Sequence, residues 1–309
     1  MIRKTIPGDN KKNSLIARSR DRRYHFVMAG GTVKGVLIQG SRMLREMQIN
    51  HDLGVLESIV LGQAYLGSAL IAAGLKGDGL IQLKVECGGP LKGLSVEADS
   101  HGTVRGYLME NPIPLEKTPD TLDTSNLFGP GFLSVTRYSG EQKNAFTGQV
   151  ELRTGRLAED LAAYYDESEQ LRTVFSLSIH LEKDGVLSGG AGLFLQAMPG
   201  ADEAVLEMVE EAALKIPSLS REFTAESDAR EFLSTYFSDF HPDLLDDKRV
   251  EFMCGCSKSR FEKFLASLGD KEKSDLRENG PFPLKTICHN CNSAYEFTKD
   301  ELENLFTSE

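Results

Sequence analysis

The sequence contains no H-E-x-x-H, no G-x-S-x-G and no phosphate loop, so metalloprotease, serine-hydrolase and nucleotide-binding chemistry have no motif to rest on. The glycines at 189–192 follow a strand pattern but lack a following Lys-Ser/Thr, and hairpin packing explains them. Long apolar runs are missing too. The stretch Ile59–Leu75 is broken by Gln63, Tyr65 and several glycines and reads as too short to span a bilayer. The basic first residues lack an apolar h-region, so no secretory signal is expected and the reading is cytoplasmic. Excess positive charge is absent. The net charge is −11, which repels nucleic acid and leaves no membrane or nucleic-acid partner expected. No internal repeat or low-complexity tract is visible.

What is present is uneven. Residues 1–26 hold eight Lys/Arg (Arg3, Lys4, Lys11, Lys12, Arg18, Arg20, Arg22, Arg23) against Asp9 and Asp21. Residues 1–23 are therefore expected to be a flexible, solvated basic tail. Residues 201–250 hold thirteen Asp/Glu and five Lys/Arg, and so carry most of the imbalance.

Hydrophobic periodicity predicts two strands around Gly30-Gly31 within 24–40 and one helix over 41–75. A meander follows at 80–87, 92–98 and 103–109, where Ile81, Leu83 and Val85 alternate with polar neighbours. Strands at 132–138 and 145–152 extend it. A helix at Arg156–Leu171 precedes a hairpin of 174–182 with 189–198. Strands in runs, not alternating with helices, make this an α+β fold. Thus 24–202 reads as an N-terminal antiparallel sheet domain with packed helices. Residues 203–250 read as a helical linker, acidic yet carrying Phe223, Phe232, Tyr236, Phe237, Phe240, Leu244 and Leu245. Residues 251–309 form a small C-terminal module.

The chain has five cysteines. In a reducing compartment, close Cys pairs point to metal or redox chemistry. Cys254 and Cys256 form C-x-C; after 31 intervening residues Cys288 and Cys291 form C-x-x-C. Structural zinc takes four tetrahedral ligands and thiolates bind it well, so the four are read as ligands of one Zn²⁺ per chain. Four unrelated buried cysteines, or two disulfides without metal, are the alternatives. His289 is read as solvent-facing and Cys87 as a core residue. Four thiolates on Zn²⁺ leave a −2 cluster that reacts with oxidants when exposed. Structural zinc contributes about 10–16 kcal/mol to folding in finger peptides, and a whole domain is stable by only about 5–15 kcal/mol. A module that loses the ion should unfold and loosen the linker. A constitutive nucleic-acid zinc module should be basic, whereas residues 251–309 carry eight Lys/Arg and eleven Asp/Glu. A catalytic zinc keeps an open position, which four thiols would close.

These cysteines, with CGCSKSRFEKFLASLG (254–269), CHNCNSAYEF (288–297), the Gly-Pro-Leu and Val-Arg-Gly-Tyr runs within 75–112, 157–179 and 189–202, resemble the heat shock protein 33 family of redox-regulated holdase chaperones. The resemblance spans about residues 24–306. It implies an ATP-independent chaperone, not an enzyme, that is inactive while reduced and zinc-bound. On oxidation the family forms two disulfides, here Cys254–Cys256 and Cys288–Cys291, and releases zinc. The linker then unfolds, the chain dimerises, and surface that binds unfolding client proteins is exposed. The basic extension before Tyr24 is longer than the family pattern, and the resemblance assigns no role to it or to the loop at 113–131.

Overall fold

The computed structural model describes residues 1–6, 21–115, 121–138 and 145–307. Most of the predicted basic tail (7–20), part of the loop at 113–131 and the last two residues lie outside the described residues.

Two antiparallel sheets enclose one helix. The first sheet begins with β1 (Arg22–Met28) and β2 (Val33–Gln39), joined at Ala29-Gly30-Gly31, where φ is positive at all three residues. It is completed by β8 (Thr173–Leu181), β9 (Leu187–Ala197) and β10 (Asp243–Arg249), in the order β10-β1-β2-β9-β8. The second sheet contains β3 (Leu80–Cys87), β4 (Gly93–Asp99), β5 (Thr103–Leu108), β6 (Gly131–Tyr138) and β7 (Phe146–Glu151). A two-residue strand, β11 (Glu251–Phe252), joins its edge, in the order β11-β5-β4-β3-β6-β7. Register puts apolar residues opposite apolar residues: Leu83 faces Val96 on one side and Val135 on the other.

The sequence predicts one helix over 41–75; the structure has two. α1 (Ser41–His51) is capped by Asp21, whose carboxylate accepts the backbone N–H of Arg42 (3.3 Å) and Met43 (2.6 Å). It ends at Asp52 in the left-handed region (φ 55°), and α2 (Val55–Ala72) restarts after Gly54. α2 is apolar on every side because sheets lie on both sides of it. By length and composition alone it could cross a bilayer, contrary to the reading of that stretch as too short. Here it is the buried core helix. The glycines of β9 serve this packing: a Cβ on Gly190 would lie 2.2 Å from Leu44 Cδ1 of α1. α3 (Leu157–Tyr164) is shorter than predicted and continues as a wider turn, Tyr165–Glu169.

Alternation along the first sheet feeds two cores. Val36, Ile38 and Phe194 face α2. Phe26, Val33, Leu37, Leu193 and Leu195 face the opposite way. That second face is covered by the segment after Pro199-Gly200: α4 (Glu203–Leu214), α5 (Leu219–Glu222) and α6 (Ala229–Phe237). Asp202 caps α4 and Asp228 caps α6. Phe223, Phe232 and Tyr236 pack in sequence as tilted rings, with centroids 5.0 and 4.9 Å apart.

Two departures from the expected domain plan matter. The acidic end of the helical linker is a strand, β10, paired with β1. Asp247 meets Arg22 and Asp246 meets His25, so a basic strand recruits an acidic one. Residues 1–3 are also docked, although residues 2–5 are exposed. Met1, Ile2 and Arg3 make hydrogen bonds to the C-terminal region.

Candidate metal and redox centre

The two half-sites come from unlike local structures. β11 runs parallel to β5, with Phe252 opposite Val104, and Met253 N donates to Val104 O (3.0 Å). Gly102 permits the approach: its φ is +90°, and a Cβ there would lie 2.1 Å from Arg249 O. Phe252 is fully buried against Tyr65 and His51. Two residues on, Cys254 and Cys256 lie in an extended stretch that ends where Ser257 caps α7 (Lys258–Ala266). Arg260 Nη1 holds the intervening Gly255 carbonyl at 3.0 Å.

The second half-site is the turn between β12 (Leu284–Ile287) and β13 (Ala294–Phe297). Cys288 O accepts the N–H of Cys291 (3.3 Å) and Asn292 (2.7 Å), and Cys288 N donates to Ser293 O (2.9 Å). Asn292 closes the turn at φ 53°. The chain returns through α7 and α8 (Asp270–Asn279), and a small core of Leu265, Phe297 and Leu302, the last on α9 (Lys299–Thr307), braces the hairpin.

The structure brings Cys254, Cys256, Cys288 and Cys291 together, with all four sulfurs within 4.8 Å of one another. Cys254 Sγ and Cys288 Sγ are 3.8 Å apart, and Cys256 Sγ and Cys291 Sγ 3.3 Å. A tetrahedral site with Zn–S of about 2.3 Å has S···S edges of about 3.8 Å, so the donor set and spacing fit a four-thiolate zinc ion. Without a metal the sulfurs share protons. Hydrogen bonds from Cys288 and Cys291 hold Cys254 well below the usual thiol range. Donating to Cys254 pushes Cys288 well up and Cys291 up to about 11.

Residues beyond the cysteines complete the surroundings. Arg105 of β5 points Nη1 at Cys254 Sγ (3.7 Å) and pairs with Glu97 (2.6 Å), placing positive charge beside a site that becomes anionic. Tyr295 OH lies 3.2 Å from Cys256 Sγ, and buried Ser293 Oγ lies 3.2 Å from Cys291 Sγ. Gly106 N donates to Asn290 O (3.3 Å), and Asn292 Nδ2 donates to Asn50 O (3.0 Å), tying the turn to β5 and α1. Burial pushes the pKa of His51, beneath this turn, down to about 4. His289 is exposed, lies over Tyr107 (5.5 Å) and is not in the cluster. Cys87 is half-buried at the end of β3. Sequence spacing singled out the cysteines but not Arg105, Ser293 or Tyr295. The Val-Arg-Gly-Tyr run contains Arg105, yet nothing local shows that it faces Cys254, 149 positions away.

The Hsp33 protein family model matches residues 21–298. The 33 kDa chaperonin of Agathobacter rectalis is 31% identical over 279 residues, covering 90% of this chain and 96% of that protein. That of Geobacter sulfurreducens is 32% identical over 295 residues, covering 95% and 97%. The crystal structure of the 33 kDa chaperonin (heat shock protein 33 homolog) of Thermotoga maritima is similar with a TM-score of 0.82 at 28% identity, covering 93% of this chain and 98% of that one.

Proposed function

Because the chain belongs to the Hsp33 family, we propose that it is an ATP-independent holdase chaperone of the cytoplasm, switched on by oxidation of Cys254, Cys256, Cys288 and Cys291. In the reduced chain these four residues would hold one zinc ion, which keeps the thiolates deprotonated and joins the two half-sites. The observation that carries this reading is where the cluster sits. It begins two residues after β11, which follows β10, which in turn ends the linker packed over the first sheet.

Oxidation acts on the sulfurs directly. Two thiolates become one disulfide, and the two electrons go to the oxidant; hypochlorous acid leaves as chloride and hydroxide. The proposed pairs are Cys254–Cys256 and Cys288–Cys291. The shortest sulfur approaches in the reduced cluster run between the half-sites. Closing each pair on itself therefore removes every sulfur that joined one half-site to the other. The module is then left with its small core of Leu265, Phe297 and Leu302 and a few hydrogen bonds to β5, α1 and residues 1–3. Its loosening frees β11 and β10, and α4–α6 follow. That exposes Phe26, Leu37, Leu193 and Leu195 on the sheet and Phe223, Phe232 and Phe237 on the linker. Apolar surface of this kind binds unfolding clients and a second copy of the chain.

The test couples two measurements on one sample: zinc released, and suppression of thermal aggregation of a model client, each with and without hypochlorite. Release of one zinc per chain together with the onset of suppression, and disulfide mapping to 254–256 and 288–291, is the expected result. Equal suppression by the reduced, zinc-loaded protein refutes the switch. Cys288→Ser should weaken zinc binding and loosen the linker without oxidant; undiminished affinity removes Cys288 from the ligand set.

A further inference from the structure

The basic N-terminal extension lies outside the family match, which starts at residue 21, and the proposed switch does not use it. Its first residues nevertheless sit on the cysteine module. Met1 N donates to Cys256 O (2.5 Å), and Met1 packs against the main core. Ile2 N donates to Ser293 Oγ (2.8 Å), and Ser293 Oγ lies 3.2 Å from Ile2 O. Arg3 spans the junction with the linker: Nη2 reaches Phe252 O (2.9 Å) and Glu251 (3.2 Å), and Nη1 lies 3.7 Å from Glu46 of α1. The segment thus touches both half-sites and β11 at once.

Ser293 is the informative contact. It is buried and has one hydroxyl hydrogen to give. The Ile2 N–H donates to Oγ, and Cys291 Sγ lies 3.2 Å from the same oxygen, so Ile2 sets where the Ser293 hydroxyl lies relative to Cys291. We propose that residues 1–3 form a strap whose docking surface is the cysteine module, and that Ile2 positions Ser293 against Cys291 so as to slow metal loss and attack on that sulfur. Ser293 and Ile2 are positioning residues, acting through Cys291. The metal half of this statement rests on the zinc reading above; the thiol half does not.

The experiment compares the full chain, a variant lacking residues 1–6, Ser293→Ala, and the two changes combined. One arm measures zinc transfer from reduced protein to a chromogenic chelator. The other measures alkylation of Cys291 in metal-free reduced protein, resolved by peptide mass analysis. Loss of an outer hydrogen-bond partner of a ligand typically costs about 10–100-fold in metal affinity. Removing the strap, one bond further out, is expected to speed zinc transfer by up to about tenfold and to speed alkylation of Cys291 by more than twofold. A synthetic peptide of residues 1–6, added in trans, should slow them again, and Ser293→Ala should make strap removal nearly without further effect. A structural brace alone would give multiplying effects for the two changes, and that result overturns the positioning role. Rates within twofold of the full chain in both arms overturn the strap. Full-chain protein without bound zinc refutes the zinc reading instead, and the alkylation arm then decides the strap by itself. Should Ser293→Ala fail to fold, the deletion and the peptide add-back carry the decision.

Discussion

Phe237 offers a way to separate the linker from the cysteines. Its side chain is fully buried at the end of α6, in the core shared by the linker and the first sheet. It lies seventeen positions before Cys254, and among the described residues its core contains none from the C-terminal module. Truncating a buried phenylalanine to alanine costs about 3–5 kcal/mol. A tenfold change in an equilibrium constant corresponds to about 1.4 kcal/mol, so Phe237→Ala should raise the linker's opening constant by roughly 10²–10⁴-fold. Local units open at free energies at or below the global value, and the global value is about 5–15 kcal/mol. The loss is thus comparable with everything that holds α4–α6 down. Hydrogen exchange read by mass spectrometry on reduced, zinc-loaded protein is the direct assay. Exchange across 203–249 should accelerate while α2 stays protected and zinc stays bound. The same sample should suppress client aggregation with no oxidant present. Met208→Ala is the control, because Met208 is exposed. Unchanged exchange across 203–249 would refute the packing argument. Fast exchange with suppression still dependent on oxidant would refute the claim that the covered face is the client surface.

Two further outcomes follow from charge. Burial pushes the Asp21 carboxyl up to about 7, helped by Glu46 and opposed by the amides of Met43 and Arg42. The folded chain therefore keeps a proton that the unfolded chain loses near pH 4. This contribution is fully present below that pH, is lost as pH rises through about 7, and amounts to on the order of 4 kcal/mol. Asp21→Asn keeps an oxygen for the Met43 N–H and removes the titration, so its stability relative to wild type should climb between pH 4 and 7 in urea unfolding series; parallel curves would contradict the assignment. Arg105→Gln removes the cation beside Cys254 and should weaken zinc binding by about tenfold, as for other outer partners of metal ligands; competition with a chelator measures it, and unchanged affinity would leave Arg105 a role in the sheet only.

The sheet core and the four cysteines were legible because their signals are local. Alternation in Ile81-Gln82-Leu83-Lys84-Val85 fixes which face is buried, and C-x-C with C-x-x-C fixes a sulfur-rich site without knowledge of the fold. What was not legible depends on partners distant in sequence. Asp243–Arg249 is acidic and follows a helix, so it reads as linker. It is a strand because it pairs along its main chain with β1, more than two hundred positions earlier, where Arg22 meets Asp247 and His25 hydrogen-bonds Asp246. The break at Asp52 was hidden by helical spacing that continues through Leu53 and Leu56. The docking of Met1–Arg3 has no sequence signature at all, since its acceptors are two main-chain carbonyls, a serine hydroxyl and two carboxylates on other elements.

The place of β10 has one more consequence. It is the outermost strand of the first sheet, so its departure makes β1 the border. A strand bared in this way presents a row of N–H and C=O groups with no partner, which is a template for any extended segment. Arg22–Met28 could then be joined by a neighbouring polypeptide through its main chain alone. Such pairing is blind to side chains, because every peptide except proline offers the same donor and acceptor. Under the proposed switch the linker would thus conceal two adhesives of different kind, an oily face and a peptide-bond seam. The seam is the one that asks nothing of a client's sequence except that it be unfolded.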